Sequence, residues 1–147
     1  MREVEADVSL EDTEKEAIVI ARRGQGKFKE NVMMHEKRCR ITGVDDISHL
    51  RASHIKPWRS CVDGQERLNG SNGLLLTPSI DHLFDRGYIS FEDSGELLVT
   101  NSADRLSLER MGVETDRVIN VGSFNQDQKE FLDFHRNSVF LEARLSS

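Results

Sequence analysis

The sequence predicts a small α+β domain, because segments patterned like helices and segments patterned like short strands follow one another along the chain. Segments near both ends carry apolar residues at helical spacing, whereas the middle carries short apolar runs bounded by Gly, Asn, Asp and Ser. The chain has 147 residues, 37% of them apolar and 31% charged. This length and composition fit one domain with a buried core.

Two helices are predicted in the first quarter of the chain, over residues 13–23 and 27–37. Thr13 and Glu16 have the spacing of a capping box, which favours a helix start at this point. Gly24 is expected to end the first helix, because glycine is common just beyond helix C-termini. The acidic residues 1–12 are expected to form a loose tail before a single domain that spans 13–147.

The middle of the chain predicts strands over 39–43 and 50–55, followed by an extended, buried run over 74–76. Ser79 is expected to cap a brief helix from Ile80 to Arg86. We place the core of the domain at about 38–100 and its last helix at about 126–137. The other predicted elements are a loop over 59–73, a β-hairpin formed by 88–91 and 97–100, and a short helix over 103–111.

Composition excludes several classes of protein. No apolar run approaches the about 18 residues of a membrane helix, and the acidic N-terminus lacks the apolar core of a secretory leader. We therefore expect a cytoplasmic protein without a membrane partner. Cys39 and Cys61 are the two cysteines in the sequence, too few for a four-cysteine zinc site, so no structural zinc is expected.

Charge is unevenly distributed along the chain. Residues 1–21 carry 2 basic and 7 acidic side chains, residues 22–67 carry 11 and 6, and residues 68–147 carry 7 and 13. The net charge is −6, yet phosphate binding depends on local Lys and Arg placement. The middle segment can therefore present a basic face, although solvated helix surfaces would explain the same residues.

His54 and Asn72 are the first candidate functional residues. His54 ends a predicted strand, and an imidazole that titrates near neutrality can take a proton from water. Asn72 precedes a glycine in the predicted loop, where it can hold the strand that carries His54 in place. Taken alone, each has an ordinary structural explanation: a strand-end histidine is often exposed, and a loop asparagine often forms a turn.

Asp81 and Asp85 are candidate metal ligands, because residues four apart on a helix share one face and can reach a common cation. His82 lies next to Asp81 in the sequence. Oxygen ligands favour Mg²⁺ or Mn²⁺, whereas an added imidazole would admit Zn²⁺, Ni²⁺ or Co²⁺. The alternative is that the two carboxylates are solvated or cap neighbouring turns.

Together these motifs resemble the HNH endonucleases of restriction-type enzymes, over about residues 25–100. The resemblance implies a ββα-metal core, also called a His-Me finger, with flanking N- and C-terminal helices and a β-hairpin. Residues 131–140 are also similar to the C-terminal helix that often follows this domain. The segments that carry the resemblance are Arg38–Gly43, Ala52–Trp58, Glu66–Asn69, Asn72–Leu76 and Asp81–Gly87.

The resemblance implies a divalent-metal-dependent hydrolase that cleaves DNA phosphodiester bonds. His54 matches the general base, and Asn72 matches the asparagine that orients the loop. Asp81 stands where many relatives have the last histidine, a metal ligand, and Asp85 is placed to help; whether Asp81 or His82 faces the ion stays open. One divalent ion is implied, Mg²⁺ or Mn²⁺ in the first place, with Ni²⁺, Co²⁺ or Zn²⁺ as alternatives.

The chain departs from the family at several points: at Asp81 in place of the last histidine, in the lack of the two Cys-x-x-Cys pairs that many relatives carry, and immediately before the base. Many relatives have Asp or His immediately before the base, as a ligand from the strand, and this chain has Ser53, a poorer ligand.

DNA is the implied partner, with Lys56, Arg59 and Arg86 as candidate phosphate contacts. Basic residues of the two N-terminal helices can extend that contact. A restriction or defence role is expected, in a homodimer that cuts both strands or as part of a larger restriction protein. The alternatives are a non-catalytic DNA-binding or assembly module that keeps the fold, and an RNA nuclease or nuclease toxin.

Overall fold

The structure is a computed structural model that describes residues 8–141, with side chains from Glu14 onward except at position 21. In this part of the chain the helices are α1 (Val8–Met33), α2 (Gly64–Leu68), α3 (Pro78–Asp85), α4 (Arg105–Arg110) and α5 (Gln126–Phe134). The strands are β1 (Arg51–His54), β2 (Gly73–Leu76), β3 (Ile89–Phe91) and β4 (Leu97–Val99). Short 3₁₀ turns cover Ile47–His49, Trp58–Ser60 and Gly70–Asn72, and a π-helical turn over His135–Val139 continues α5.

The centre of the fold is an antiparallel pair of strands followed by a helix. β1 pairs with β2 so that Ser53 lies opposite Leu74 and His54 opposite Gly73. α3 begins two residues after β2 and packs against both strands. β3 and β4 form a separate antiparallel hairpin. The predicted α+β class, with a small ββα core, is confirmed.

Burial explains why the sequence of β2 is a continuous apolar run. All four of its residues are buried, because α1 covers one face of the strand pair and α3 the other. Gly73 is required by this packing, since a Cβ at that position would collide with the side chains of Phe28 and Val32 on α1. The last two turns of α1 are therefore seated directly against the strand that follows Asn72.

The position of α3 is fixed by its apolar face and by its N-terminus. Ile80, Leu83 and Phe84 are buried, at the spacing of one helical face. The helix begins earlier than predicted: Thr77 rather than Ser79 is the N-cap residue, and Pro78 occupies the first turn, where a missing N–H costs no hydrogen bond.

A buried polar cluster joins the end of α1 to α5. Glu36 is buried, accepts two hydrogen bonds from Arg40 at 2.8 Å each and accepts a third from Gln128 at 3.0 Å. Gln128 belongs to a capping box with Asn125 that starts α5. The C-terminal helix is thereby held against the segment that precedes the strands.

The N-terminal prediction is wrong in its boundaries. α1 is one helix that runs through Gly24 and Gly26 and ends at Met33, so residues 34–37 are not helical. A glycine stops a helix when it adopts a positive φ, and neither glycine does so; inside a helix each costs only about 1 kcal/mol relative to alanine. Residues 8–12, predicted as tail, belong to α1, and residues 1–7 lie outside the described part.

Two further segments differ from the prediction. Residues 39–43 form a tight turn instead of a strand: the Cys39 N–H donates to the Val44 carbonyl at 2.9 Å, and the Gly43 N–H donates to the Cys39 carbonyl at 2.8 Å. The predicted loop over 59–73 contains α2, which Asp63 caps. Of the helices in the described part of the chain, none combines the length and apolar character needed to cross a membrane.

Candidate active site

The end of the β1–β2 pair gathers most of the predicted site residues. His54 is the last residue of β1, and Asn72 immediately precedes β2. β1 directs two neighbouring side chains to different helices: Ser53 contacts Asp81 on α3, and His54 stacks on Phe28 of α1. The last two residues of β1 thus connect the two parts of the site: His54 is the candidate base, and Ser53 contacts the candidate metal ligand.

His54 is held in one orientation by three contacts. Its ring is stacked on Phe28, with centroids 3.7 Å apart and an interplanar angle of 3°, and Trp58 lies edge-on at 5.9 Å. Its Nε2 lies 2.8 Å from the Arg67 carbonyl oxygen. A carbonyl only accepts hydrogen bonds, so Nε2 carries the proton of the neutral ring and Nδ1 is left as the acceptor. No described side chain or backbone group bonds to Nδ1.

Burial lowers the pKa of His54 below its usual value of 6.5, although the hydrogen bond to the Arg67 carbonyl opposes the shift. The imidazole is therefore neutral at physiological pH. A neutral ring with a fixed Nε2–H and an unoccupied Nδ1 can accept a proton from a water molecule.

Asn72 is fully buried and is bonded to both ends of the loop that supplies the Arg67 carbonyl. Its Oδ1 accepts from the Lys56 N–H at 2.7 Å. Its Nδ2 lies 3.2 Å from the Lys56 carbonyl, 3.2 Å from the Glu66 carbonyl and 3.5 Å from the Cys61 Sγ. Asn72 therefore fixes the backbone two residues after His54 and the backbone one residue before Arg67.

Asp81 is tied to β1 through both carboxylate oxygens. Oδ1 accepts a short hydrogen bond from the Ser53 hydroxyl, and Oδ2 lies 3.6 Å from a guanidinium nitrogen of Arg51. The side chain is 23% exposed, so the carboxylate is open to solvent on one side. Ser53 and Asp81, the two positions that the resemblance implies as ligands, are thus in direct contact.

The structure places His82 and Asp85 apart from this contact. The His82 ring lies 6.3 Å from Tyr88 and lines a cavity of about 260 Å³ that Tyr88 and residues of α4 complete. Asp85 is exposed, one turn beyond Asp81, and its carboxylate has no hydrogen bond or ion pair with the described residues. In the described part of the chain, no three His, Cys, Asp or Glu side chains converge as a metal cluster.

The basic residues near the site differ in availability. Lys56 is paired with Glu66 at 2.9 Å and lies 5.2 Å from the centre of the Phe134 ring, so much of its charge is compensated. Arg59 and Arg86 are exposed and make no ion pair with described residues. Arg51, which sequence reasoning missed, is 63% exposed beside Asp81. Strand alternation could have found it, because Arg51 and Ser53 share one face of β1.

A cavity of about 630 Å³ lies between the loop after β1 and α5. Its lining includes Asp63, Glu66, Glu130 and Asp133 but neither His54 nor Asp81. Because these side chains repel phosphate, this cavity is not where a nucleic-acid backbone would bind.

The strand pair and the helix that follows it define the chain as a protein with a ββα core. Residues 39–92, which contain this core, match the family model of the HNH endonucleases. The match supports a nuclease-type activity with DNA as the implied substrate, and HNH proteins generally use one divalent metal ion. No curated protein matches the chain.

Proposed function

We propose that the chain is a metal-dependent endonuclease that hydrolyses DNA phosphodiester bonds, in the cytoplasm and in a restriction or defence role. The observation that carries the proposal is the hydrogen bond from His54 Nε2 to the Arg67 carbonyl at 2.8 Å. It leaves Nδ1 of a neutral imidazole without a partner in the described chain, at the end of a strand whose preceding residue contacts Asp81.

In the proposed reaction His54 Nδ1 takes one proton from a water molecule. The water oxygen forms a bond to phosphorus, the bond from phosphorus to the 3′ oxygen breaks, and the departing 3′ oxygen takes up a proton from solvent. The positive charge gained by the imidazole is lost when it releases the proton to solvent. A positioned general base typically raises the reaction rate about 10²–10⁴-fold.

Asn72 acts as a positioning residue. Its hydrogen bonds hold Lys56 and Glu66, and thereby fix the loop whose Arg67 carbonyl selects the tautomer of His54. The residue contacts neither water nor phosphate in this proposal.

The donor set fits a hard divalent cation. Asp81, with Ser53 at its side and Asp85 one turn away, offers carboxylate and hydroxyl oxygens, and Mg²⁺ is commonly held by one or two carboxylates together with substrate phosphates and water. The position of His82 beside Tyr88 favours Asp81 as the ligand, and thus Mg²⁺ or Mn²⁺ over Ni²⁺, Co²⁺ or Zn²⁺. When bound, the ion would stabilise negative charge at the scissile phosphate.

Phosphate contacts are assigned to three exposed guanidinium groups of the ββα core and its adjoining turns, namely Arg59, Arg86 and Arg51. Lys56, a candidate from sequence, contributes less in this proposal because Glu66 compensates its charge.

Cleavage of supercoiled plasmid tests the proposal. The wild type is expected to nick or linearise plasmid with Mg²⁺ or Mn²⁺ and to be inactive with EDTA. His54→Ala is expected to lower the rate about 10²–10⁴-fold, whereas His49→Ala, which removes a largely exposed histidine, leaves it unchanged. Full activity of His54→Ala would contradict the proposed base. Absence of cleavage by folded wild type under every metal would favour a DNA-binding or assembly module.

Metal-induced thermal stabilisation separates the two candidate ligands. Ligand binding to the folded state raises Tm, so Mn²⁺ should raise the Tm of the wild type and of His82→Ala but not that of Asp81→Ala. Loss of the shift in His82→Ala, with retention in Asp81→Ala, would assign the metal to His82 instead.

A further inference from the structure

The N-terminal half of α1 extends away from the domain. Phe28 is the first buried residue among the described side chains of the helix, and nearly all described side chains from Glu14 to Lys27 are exposed. These side chains make no hydrogen bond or ion pair with the rest of the described chain. The stretch is about 21 Å long at 1.5 Å per residue.

Apolar side chains lie in the middle of this extended stretch. Ile20 is 68% exposed, and Val19, 43% exposed, lies about 100° from it around the helix. Helices of this length are marginal in water unless an amphipathic face is packed against a partner. The exposed helix face centred on Ile20 is therefore expected to pack against a partner.

The charges beside Ile20 identify the occupant. At 100° per residue, Glu16 and Arg23 lie on the same side of the Ile20 face, one turn before and one turn after it. A two-fold axis at Ile20, perpendicular to the helix, brings Glu16 of one copy beside Arg23 of the other and repeats the pair by symmetry. Parallel pairing in register would instead set Glu16 and Arg23 of each copy against the side of the partner that carries Ala17 and Gly24, where neither meets an opposite charge.

The other side of the same face has small residues. Ala17 and Gly24 lie there, and a Cβ built on Gly24 meets nothing within 4 Å. The same two-fold axis sets Ala17 of one copy near Gly24 of the other, so the backbones of two helices can approach closely across this side.

We infer that this face binds a second copy of the chain, as an antiparallel pair of α1 helices centred on Ile20 with reciprocal Glu16–Arg23 ion pairs. One pair of helices of this length forms an interface at the small end of the range for protein pairs. The dimer is therefore weak, and the fraction of dimer depends on protein concentration. It places the two Phe28 residues, on which the His54 rings stack, about 24 Å apart along the helix axis.

Sedimentation equilibrium of the full chain, from about 1 to 100 µM at low salt, tests the inference without DNA or metal and thus independently of nuclease activity. The wild type is expected to form a dimer, and Ile20→Glu to be a monomer. Glu16→Arg alone and Arg23→Glu alone should each weaken the dimer about tenfold, and the double variant should restore it. Arg22→Glu is the matched control, because it makes the same charge change on the opposite face of the helix.

Circular dichroism establishes that each variant keeps its helical content. A wild type that stays monomeric at 100 µM overturns the inference and leaves the face to a different partner. A dimer that survives Ile20→Glu, or single charge variants that the double variant does not rescue, overturns the proposed interface as well.

Discussion

His54 and His135 lie in two regions of the molecule whose local structures are nearly alike. Each imidazole is stacked on a phenylalanine: His54 on Phe28 with centroids 3.7 Å apart, and His135 on Phe84 with centroids 3.9 Å apart. Each has its Nε2 at 2.8 Å from a backbone carbonyl oxygen. In both rings the carbonyl fixes the proton on Nε2 and leaves Nδ1 as the acceptor.

The two regions differ at Nδ1. The Nδ1 of His135 accepts from the Ser90 hydroxyl at 2.8 Å, and His135 is only 1% exposed. The Nδ1 of His54 has no partner among the described residues, and its ring is partly exposed. Stacking and a carbonyl partner therefore serve to orient a histidine in either role. An unoccupied, accessible second nitrogen distinguishes a candidate base from a structural histidine.

Replacement of His135 should have the largest effect on stability. His135→Ala removes the hydrogen-bond partner of the buried Ser90 hydroxyl and one of the hydrogen bonds to the Phe84 carbonyl, and it opens a cavity, at a cost of about 2–5 kcal/mol in the free energy of unfolding. His54→Ala should cost clearly less, because solvent reaches the vacated space. Urea denaturation of both variants measures the difference; an equal loss in the two would contradict the distinction between the two regions.

The pH dependence of stability should follow mainly from His135. Burial, with help from the nearby Arg136 charge and against the Phe84 carbonyl, lowers the pKa of His135 from 6.5 to about 4. The folded state thus favours the neutral ring, so the stabilisation is complete above pH 6.5 and is lost as pH falls toward 4. The loss should amount to a few kcal/mol.

Urea unfolding of wild type and His135→Gln at pH 7.5, 6 and 5 checks this expectation. Glutamine does not titrate, so the variant should lose less stability on acidification. His54 shifts in the same direction, which means that some acid sensitivity remains in His135→Gln. Identical pH profiles for the two proteins would show that His135 is not the group responsible.

Local signals predicted the two strands and the helix of the ββα core, because each depends on residues close in sequence, and the resemblance implied their arrangement. Leu74, Leu75 and Leu76 predicted a buried strand, and the turn residues before them predicted where it begins. The same local reasoning failed at Gly24, because glycine marks a helix end only when the backbone turns to positive φ, and the sequence does not reveal φ.

The contacts that give the site its chemistry are not local. His54 was predicted as the base, yet its carbonyl partner lies 13 residues away across a loop. The Ser53–Asp81 contact spans 28 residues, and the Ser90–His135 contact spans 45. Sequence reasoning identified residue types suited to a site, whereas the difference between His54 and His135 required the packed structure.

The smallest expected effect comes from the one contact that separates the two histidines. Ser90→Ala removes the hydroxyl from His135 Nδ1 and makes its hydrogen bonding resemble that of His54, at a cost of about 1 kcal/mol in the free energy of unfolding. Ser79→Ala, at an exposed position on α3, should change stability by less than about 0.5 kcal/mol. Plasmid cleavage should be unchanged in Ser90→Ala. Although Nδ1 of His135 then lacks a partner, it stays buried, and a nitrogen that solvent and phosphate cannot reach cannot act as a base. Cleavage that depends on Ser90 would mean that accessibility is not what distinguishes the two rings.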